Sequence, residues 1–340
     1  MPPQNLPGET PTQPAPTFQG SNVVPPVSAG HPFLPLLIVL IVLIVGGAFF
    51  FFRFPLFVDQ PQGQGSLYLG LAPINSSKVQ LYTYDLGSKE LVPVQTGTDS
   101  ANSVGFSNDG ALRAFVGWQD VGNSQVYVSS LATNTLYLLT KDSLSYKRLP
   151  RWSPDDQRIA FTATTIASPA TLADWSGYVV DREGITHRIS SGAYPDWLTD
   201  NEGVILRTDG LYLFNLAEKH VVRVIPTISG DARFNMRIAV SPDKKRLAWS
   251  MPDNGSIQLY DITSLTPVTL ENAGVLESHS FWVEFSPDSS KLAAQEVEWN
   301  ALNTNPRPRI VIFDLESKQK ETVLDLSSYN QQYMFLSEWK

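Results

Sequence analysis

The chain has no cysteine and only four histidines among its 340 residues. The first absence removes disulfides, thiolate nucleophiles and cysteine-ligated zinc together. It leaves the compartment open, since a cysteine-free domain is at home on either side of a membrane. None of His31, His187, His220 and His279 stands in His-x-x-x-His spacing, so no metal site is expected. Basic clusters are also lacking. With 25 Lys and Arg against 33 Asp and Glu, the net charge is -8, and no basic stripe is present to hold phosphates. Nucleic acid is therefore excluded as a partner. There is no Gly-x-Ser-x-Gly elbow, no phosphate-cradling glycine loop and no Glu-rich metal motif, so no catalytic residue and no cofactor are nominated.

What is present is unevenly spread. Residues 1–32 carry Glu9 as their one charged side chain and are crowded with Pro, Gln, Thr and Gly. Such a stretch cannot bury a core and is read as a disordered Pro-rich tail. Phe33 to Phe52 follows without a single charged side chain, closed by Phe49–Phe52 and then Arg53. A helix crossing a bilayer needs about 20 apolar residues, so residues 33–52 are read as a transmembrane span within an anchor segment 33–57, with 58–65 as linker. A cleaved signal peptide fits less well, because the leader has no Lys or Arg and the apolar run is too long. The single Arg53 leans toward a cytoplasmic C-terminus under the positive-inside rule. The expectation adopted is nonetheless the usual design of single-anchor proteins, a plasma (inner) membrane protein whose C-terminal domain is extracytoplasmic.

From residue 66 onward the chain repeats. Phe106-Ser107-Asn108-Asp109-Gly110 returns as Trp152-Ser153-Pro154-Asp155-Asp156, Trp197-Leu198-Thr199-Asp200-Asn201, Val240-Ser241-Pro242-Asp243-Lys244 and Phe285-Ser286-Pro287-Asp288-Ser289, the aspartates 43–46 residues apart. Each copy leads into a short apolar strand, as a turn should when Pro presets φ and Asp bonds the backbone two residues on. A second phrase interleaves, an alternating strand ending in Asp or Asn and an apolar residue, as in Val79–Leu86, Ile257–Ile262 and Ile310–Leu315. Short strands, regular turns and this period predict four-stranded propeller blades. The fold class is thus all-β, a six-bladed propeller over residues 66–340, with seven blades as the alternative count. Pairing Ser66–Gly70 with Tyr333–Trp339 in one blade would close the ring with three strands from one end of the domain and one from the other.

The phrases at Trp152–Phe161 and Phe285–Ala293 resemble the WD-40-like propeller repeat of the TolB type, aromatic-Ser-Pro-Asp-Gly-x-x-Ile-Ala-Phe. The resemblance covers residues 66–340 and implies the fold and a bacterial origin. Asn108, Leu198-Thr199 and Val240 depart from the pattern and put local turn geometry in question. Residues 1–65 hold no counterpart of the TolB N-terminal domain, so that protein's envelope complex is not carried over.

The repeated aspartates are read as turn caps rather than a catalytic ring. The loops between second and third strands, Gly117–Ser124, Ala163–Ser176 and Glu296–Arg309, are the longest and carry Trp118, Asp120, Trp175, Glu296, Glu298, Trp299, Arg307 and Arg309. Exposed loops on a rigid scaffold collect recognition residues, and Trp and Arg are frequent anchors. These residues are the expected partner-binding face. The function expected is a membrane-anchored scaffold for protein–protein interaction or sensing at the cell envelope. The alternatives are a carbohydrate or other ligand-binding module and, because propeller sites draw on separate blades, a hydrolase or lyase.

Overall fold

The computed structural model describes residues 65–73, 78–118, 123–166, 169, 171–225, 237–250, 257–264, 266–268, 278–298, 307–326 and 331–340. They form six four-stranded antiparallel sheets. Blade 1 sets β24 (Gln331–Trp339) beside β1 (Ser66–Pro73), β2 (Gln80–Asp85) and β3 (Leu91–Pro93). Blade 2 runs β4 (Ser100–Phe106), β5 (Leu112–Trp118), β6 (Gln125–Ser130) and β7 (Leu136–Leu138); blade 3 runs β8 (Ser145–Trp152), β9 (Arg158–Thr164), β10 (Ser176–Asp181) and β11 (Thr186–Ser191). Blade 4 comprises β12 (Ala193–Trp197), β13 (Glu202–Arg207), β14 (Gly210–Asn215) and β15 (His220–Ile225); blade 5 comprises β16 (Ile238–Val240), β17 (Arg246–Ser250), β18 (Ile257–Asp261) and β19 (Thr266–Val268). Blade 6 holds β20 (Ser278–Phe285), β21 (Lys291–Glu298), β22 (Arg307–Asp314) and β23 (Lys320–Asp325). Six blades, not seven, are therefore observed.

The gradient of burial across a blade explains the sequence pattern. In β5 consecutive residues Ala114, Phe115 and Val116 are all buried, because neighbouring blades cover both faces of an inner sheet position. Such strands read as apolar runs instead of alternating ones. The outermost β3 and β7 are mostly exposed. The predicted closure is present: Leu69 pairs with Leu336 and Leu71 with Met334, so a strand from residues 331–339 completes the blade begun at Ser66.

The repeated turn works as its residues dictate. The Ser153 hydroxyl donates to Asp155 Oδ1 at 2.5 Å and accepts the Arg158 amide at 2.9 Å, while Asp155 Oδ1 accepts the Gln157 amide at 3.0 Å. The same bonds recur at Ser107–Asp109, Ser241–Asp243 and Ser286–Asp288. The next residue is left-handed in each: Gly110 at φ 70°, Asp156 at 57°, Lys244 at 60° and Ser289 at 61°. Gly110 adopts this without a Cβ penalty, which the other three bear. In the divergent fourth copy Thr199 Oγ1 takes over, accepting the Glu202 amide at 3.1 Å.

Hydroxyls and indoles tie one blade to the next. Ser337 of blade 1 accepts the Val104 amide at 2.6 Å, and Ser103 of blade 2 accepts the Leu149 amide at 3.0 Å. Trp152 donates its indole N–H to Gly105 O and Trp197 donates to Arg151 O, at 3.2 and 2.9 Å. Where the phrase aromatic is Trp, it is thus a hydrogen-bonding wedge as well as packing.

One expectation is corrected. β5, β9 and β21 extend to Trp118, Thr164 and Glu298, and β22 starts at Arg307, so the long loops are shorter than their sequence suggests. One of them contains a short 3-10 turn, Leu172–Asp174. Among the described residues no helix is long and apolar enough to cross a membrane. The expected tail, span at 33–52 and linker lie outside the described residues.

Candidate functional site

Of the eight residues expected on the recognition face, the four whose side chains are described are buried or half-buried. Trp175 is only 2% exposed, with the Arg148 guanidinium 4.8 Å above its ring. This is a correction: Trp175 folds inward because an indole gains more from apolar burial and a cation–π contact than from solvent. Glu296 is 1% exposed and bonded to Arg309 Nε at 2.9 Å and Lys320 Nζ at 2.5 Å. It too is corrected, from partner contact to a buried carboxylate that two cations hold within blade 6. Arg309 and Trp118 are half-buried, Trp118 packing beside the core between blades 2 and 3. Glu298 and Arg307 are register partners at the ends of β21 and β22. Asp120 and Trp299 lie outside the described residues.

The structure instead gathers charge at the axis. The residue before the phrase aromatic is Arg151 in blade 3, Asp196 in blade 4, Glu284 in blade 6 and Glu338 in blade 1. These positions end the innermost strands and converge. Arg151 bridges Glu284 and Glu338, and Arg237, at the entry to β16, grips Glu284 from the other side. Arg237 also donates to Leu336 O at 2.5 Å and Ser337 O at 2.8 Å; its Nε alone has no partner among the described residues. Asp196 accepts the Val240 and Trp197 amides, both at 2.8 Å. The ion pairs join blades 1, 3, 5 and 6, and Asp196 ties blade 4 to blade 5.

Burial, partly offset by Arg151, pushes the Glu338 carboxyl up to about 8. Glu284 moves in the same direction for the same reason. For Arg151 burial acts to lower the pKa, but the fields of Glu284 and Glu338 prevail and hold the guanidinium firmly charged. A second layer on the axis is aromatic: Tyr194 of blade 4 meets Trp282 of blade 6 edge-on at 6.4 Å, and Trp282 meets Phe335 at 5.3 Å. Chemically, the arrangement is two buried guanidiniums bonded to two carboxyls that burial pushes toward their protonated forms, backed by rings. Among the described histidine side chains, His187 and His220 sit on the outer strands β11 and β15, and no metal-holding group of three or more ligands occurs among the described residues.

Sequence reasoning missed this cluster. A signal existed: aligning the repeats on the phrase aromatic puts charged residues in four of six copies at one position, where Gly105 and Ala239 stand in the other two.

Comparison with known proteins bears on the fold. No protein-family model matches the chain, and no curated protein matches it. Solved structures do match. TolB from Acinetobacter baumannii is 18% identical with a TM-score of 0.58, over 81% of this chain and 66% of that one. A puromycin-hydrolyzing peptidase from Mycobacterium tuberculosis is 14% identical with a TM-score of 0.53, over 76% of this chain and 45% of that one. An oligogalacturonate lyase in complex with manganese is 14% identical with a TM-score of 0.50, over 77% and 74%. The chain thus spans about two thirds of the TolB and under half of the peptidase. The fold is a six-bladed propeller like that of TolB. It is shared by proteins named as a peptidase and a lyase, so fold does not decide between binding and catalysis.

Proposed function

We propose that this protein is a membrane-anchored propeller scaffold that presents an extracytoplasmic disc to a protein partner at the cell envelope. The observation that carries the reading is the bonded state of the axis. Arg151 and Arg237 are bonded to Glu284 and Glu338, so the carboxylates that would otherwise suggest acid–base chemistry are engaged in joining blades. The apolar run 33–52 supplies the anchor, and the likeness to TolB supports the propeller fold. The carbohydrate reading is weakened, because Trp175, which would stack on a sugar, is inside.

The test uses the full chain in bacterial cells. Membrane fractions washed with alkaline carbonate should retain it, and removing residues 33–52 should release it. A C-terminal reporter active only outside the cytoplasm should give signal, and in-cell crosslinking should yield a discrete adduct. Release of the intact chain by carbonate, a silent exported reporter or an absence of any adduct would overturn the reading.

A further inference from the structure

Between blades 3 and 4 the rim opens into a groove of about 710 Å³, a size typical of binding clefts. Its floor includes Ile189, Phe214 and Val221, and its walls carry Arg158, Arg188 and Lys219, with His187 and His220 beside them. The floor is the top of the core between the two blades, where Ile189, Leu216 and Val221 pack half-buried against Val179 and Phe214. The corresponding crevice between blades 2 and 3 is shut. There the Arg182 guanidinium lies 5.4 Å above the Trp152 ring, and no water-sized space remains.

Cations predominate on the walls. Asp181 is the one carboxylate lining the groove, and its Oδ1 already accepts the Ile185 amide at 2.8 Å. The Arg158 guanidinium bonds Asp200 O and Asn201 Oδ1, and that of Arg188 bonds Ser176 Oγ, all neutral acceptors. Arg158 also lies in the field of Asp155. A concentration of cations on a molecule of net charge -8 is complementary to an anionic occupant. The shape favours a chain rather than a compact ligand. The outermost strands bordering the groove, β11 and β15, each have six residues, as does β23, against three in β3, β7 and β19. Six residues of strand span roughly 20 Å.

We propose that this groove docks an extended acidic peptide segment of a protein partner. Aliphatic side chains of the peptide lie on Ile189, Phe214 and Val221, and its carboxylates meet Arg158, Arg188 and Lys219. The inference rests on the scaffold reading and supplies its docking site and partner chemistry.

Two measurements on the full-length protein test it. In the first, a fluorescent peptide of about eight residues alternating Glu and Val is titrated by anisotropy. Saturable binding is expected, weakened at least about tenfold in R188E/K219E and to a similar extent when Val in the peptide is replaced by Ser. An unchanged melting temperature shows that the variant is folded, and R188A/K219A, with a smaller loss, provides a second variant. No saturable binding overturns the proposal, as does equal binding by R188E/K219E or equal binding of the Glu/Ser peptide, which would mark generic polyanion attraction. In the second, a photoreactive side chain replaces His220 in the groove or Val92 on blade 1 in cells. An adduct from position 220 alone, mapping to an acidic segment, is the expected result. Adducts from position 92 but not 220, or a non-acidic mapped segment, overturn the groove while leaving the scaffold reading intact. No adduct from either position removes both.

Discussion

At the axis, Arg151 and Arg237 are buried against Glu284 and Glu338, whereas at the rim between blades 3 and 4 Arg158 and Arg188 give their hydrogen bonds to neutral oxygens. The two regions hold the same residue type under opposite constraints. A buried guanidinium without a carboxylate carries a large desolvation cost, so its partners are dictated by the fold. An exposed one costs almost nothing to keep, so an accumulation of one sign there reflects what the surface meets, not what the fold requires. Charge at the axis is architecture, and charge at the rim is available for recognition.

The largest expected effect comes from removing the axis's supporting strand. Deleting residues 333–340 strips blade 1 of its inner strand together with Leu336 and Glu338, and the propeller should lose its cooperative unfolding transition in urea. A transition at an unchanged midpoint would refute the closure. Next, R151M leaves Glu284 and Glu338 facing one another with Arg237 as the remaining cation, and should cost about 3–5 kcal/mol by chemical denaturation.

A third, smaller effect is set by pH. Glu338 has a folded pKa of about 8 against an ordinary 4.5, so the stability associated with its protonated form is complete below about 4.5 and is lost as pH rises through 8. The melting temperature should therefore fall between pH 5 and pH 9, and E338Q should flatten that slope. Below pH 4 the sign reverses. The Ser107 hydroxyl and Ala111 amide hold Asp109 below its usual range, and the Ser286 hydroxyl does the same for Asp288. Their contribution is lost as they protonate. Last, R188E/K219E at the rim should shift stability by less than about 0.5 kcal/mol; a shift as large as that of R151M would erase the distinction between the two regions.

The turns and middle strands were legible in the sequence because their chemistry is local. Ser153, Asp155 and a left-handed fifth residue need one another at fixed spacing, and Ala114–Val116 must be apolar on both faces. The innermost strands were not legible. They carry bulges, as between Ser145, Arg148 and Arg151 in β8 and between Ala193 and Asp196 in β12. They also carry Pro150 and Pro195, tolerated because an innermost strand has one edge without a ladder partner. Neither alternation nor propensity survives that combination, so Arg151, Asp196, Glu284 and Glu338 read as ordinary polar residues. Trp175 was misread for the converse reason. Its neighbours Thr171 and Asp174 read as loop, and only Arg148, folded over it from another strand, shows that the indole faces inward.

The strand that closes blade 1 leaves the ribosome after every other strand of the propeller. Until Trp339 has emerged, β1 has no neighbour on its inner side, and every nascent chain exposes a ready template for pairing with another copy. Translation speed between the emergence of β1 and that of β24, and any chaperone acting in that interval, therefore bear directly on how much of the protein reaches a closed ring instead of an aggregate.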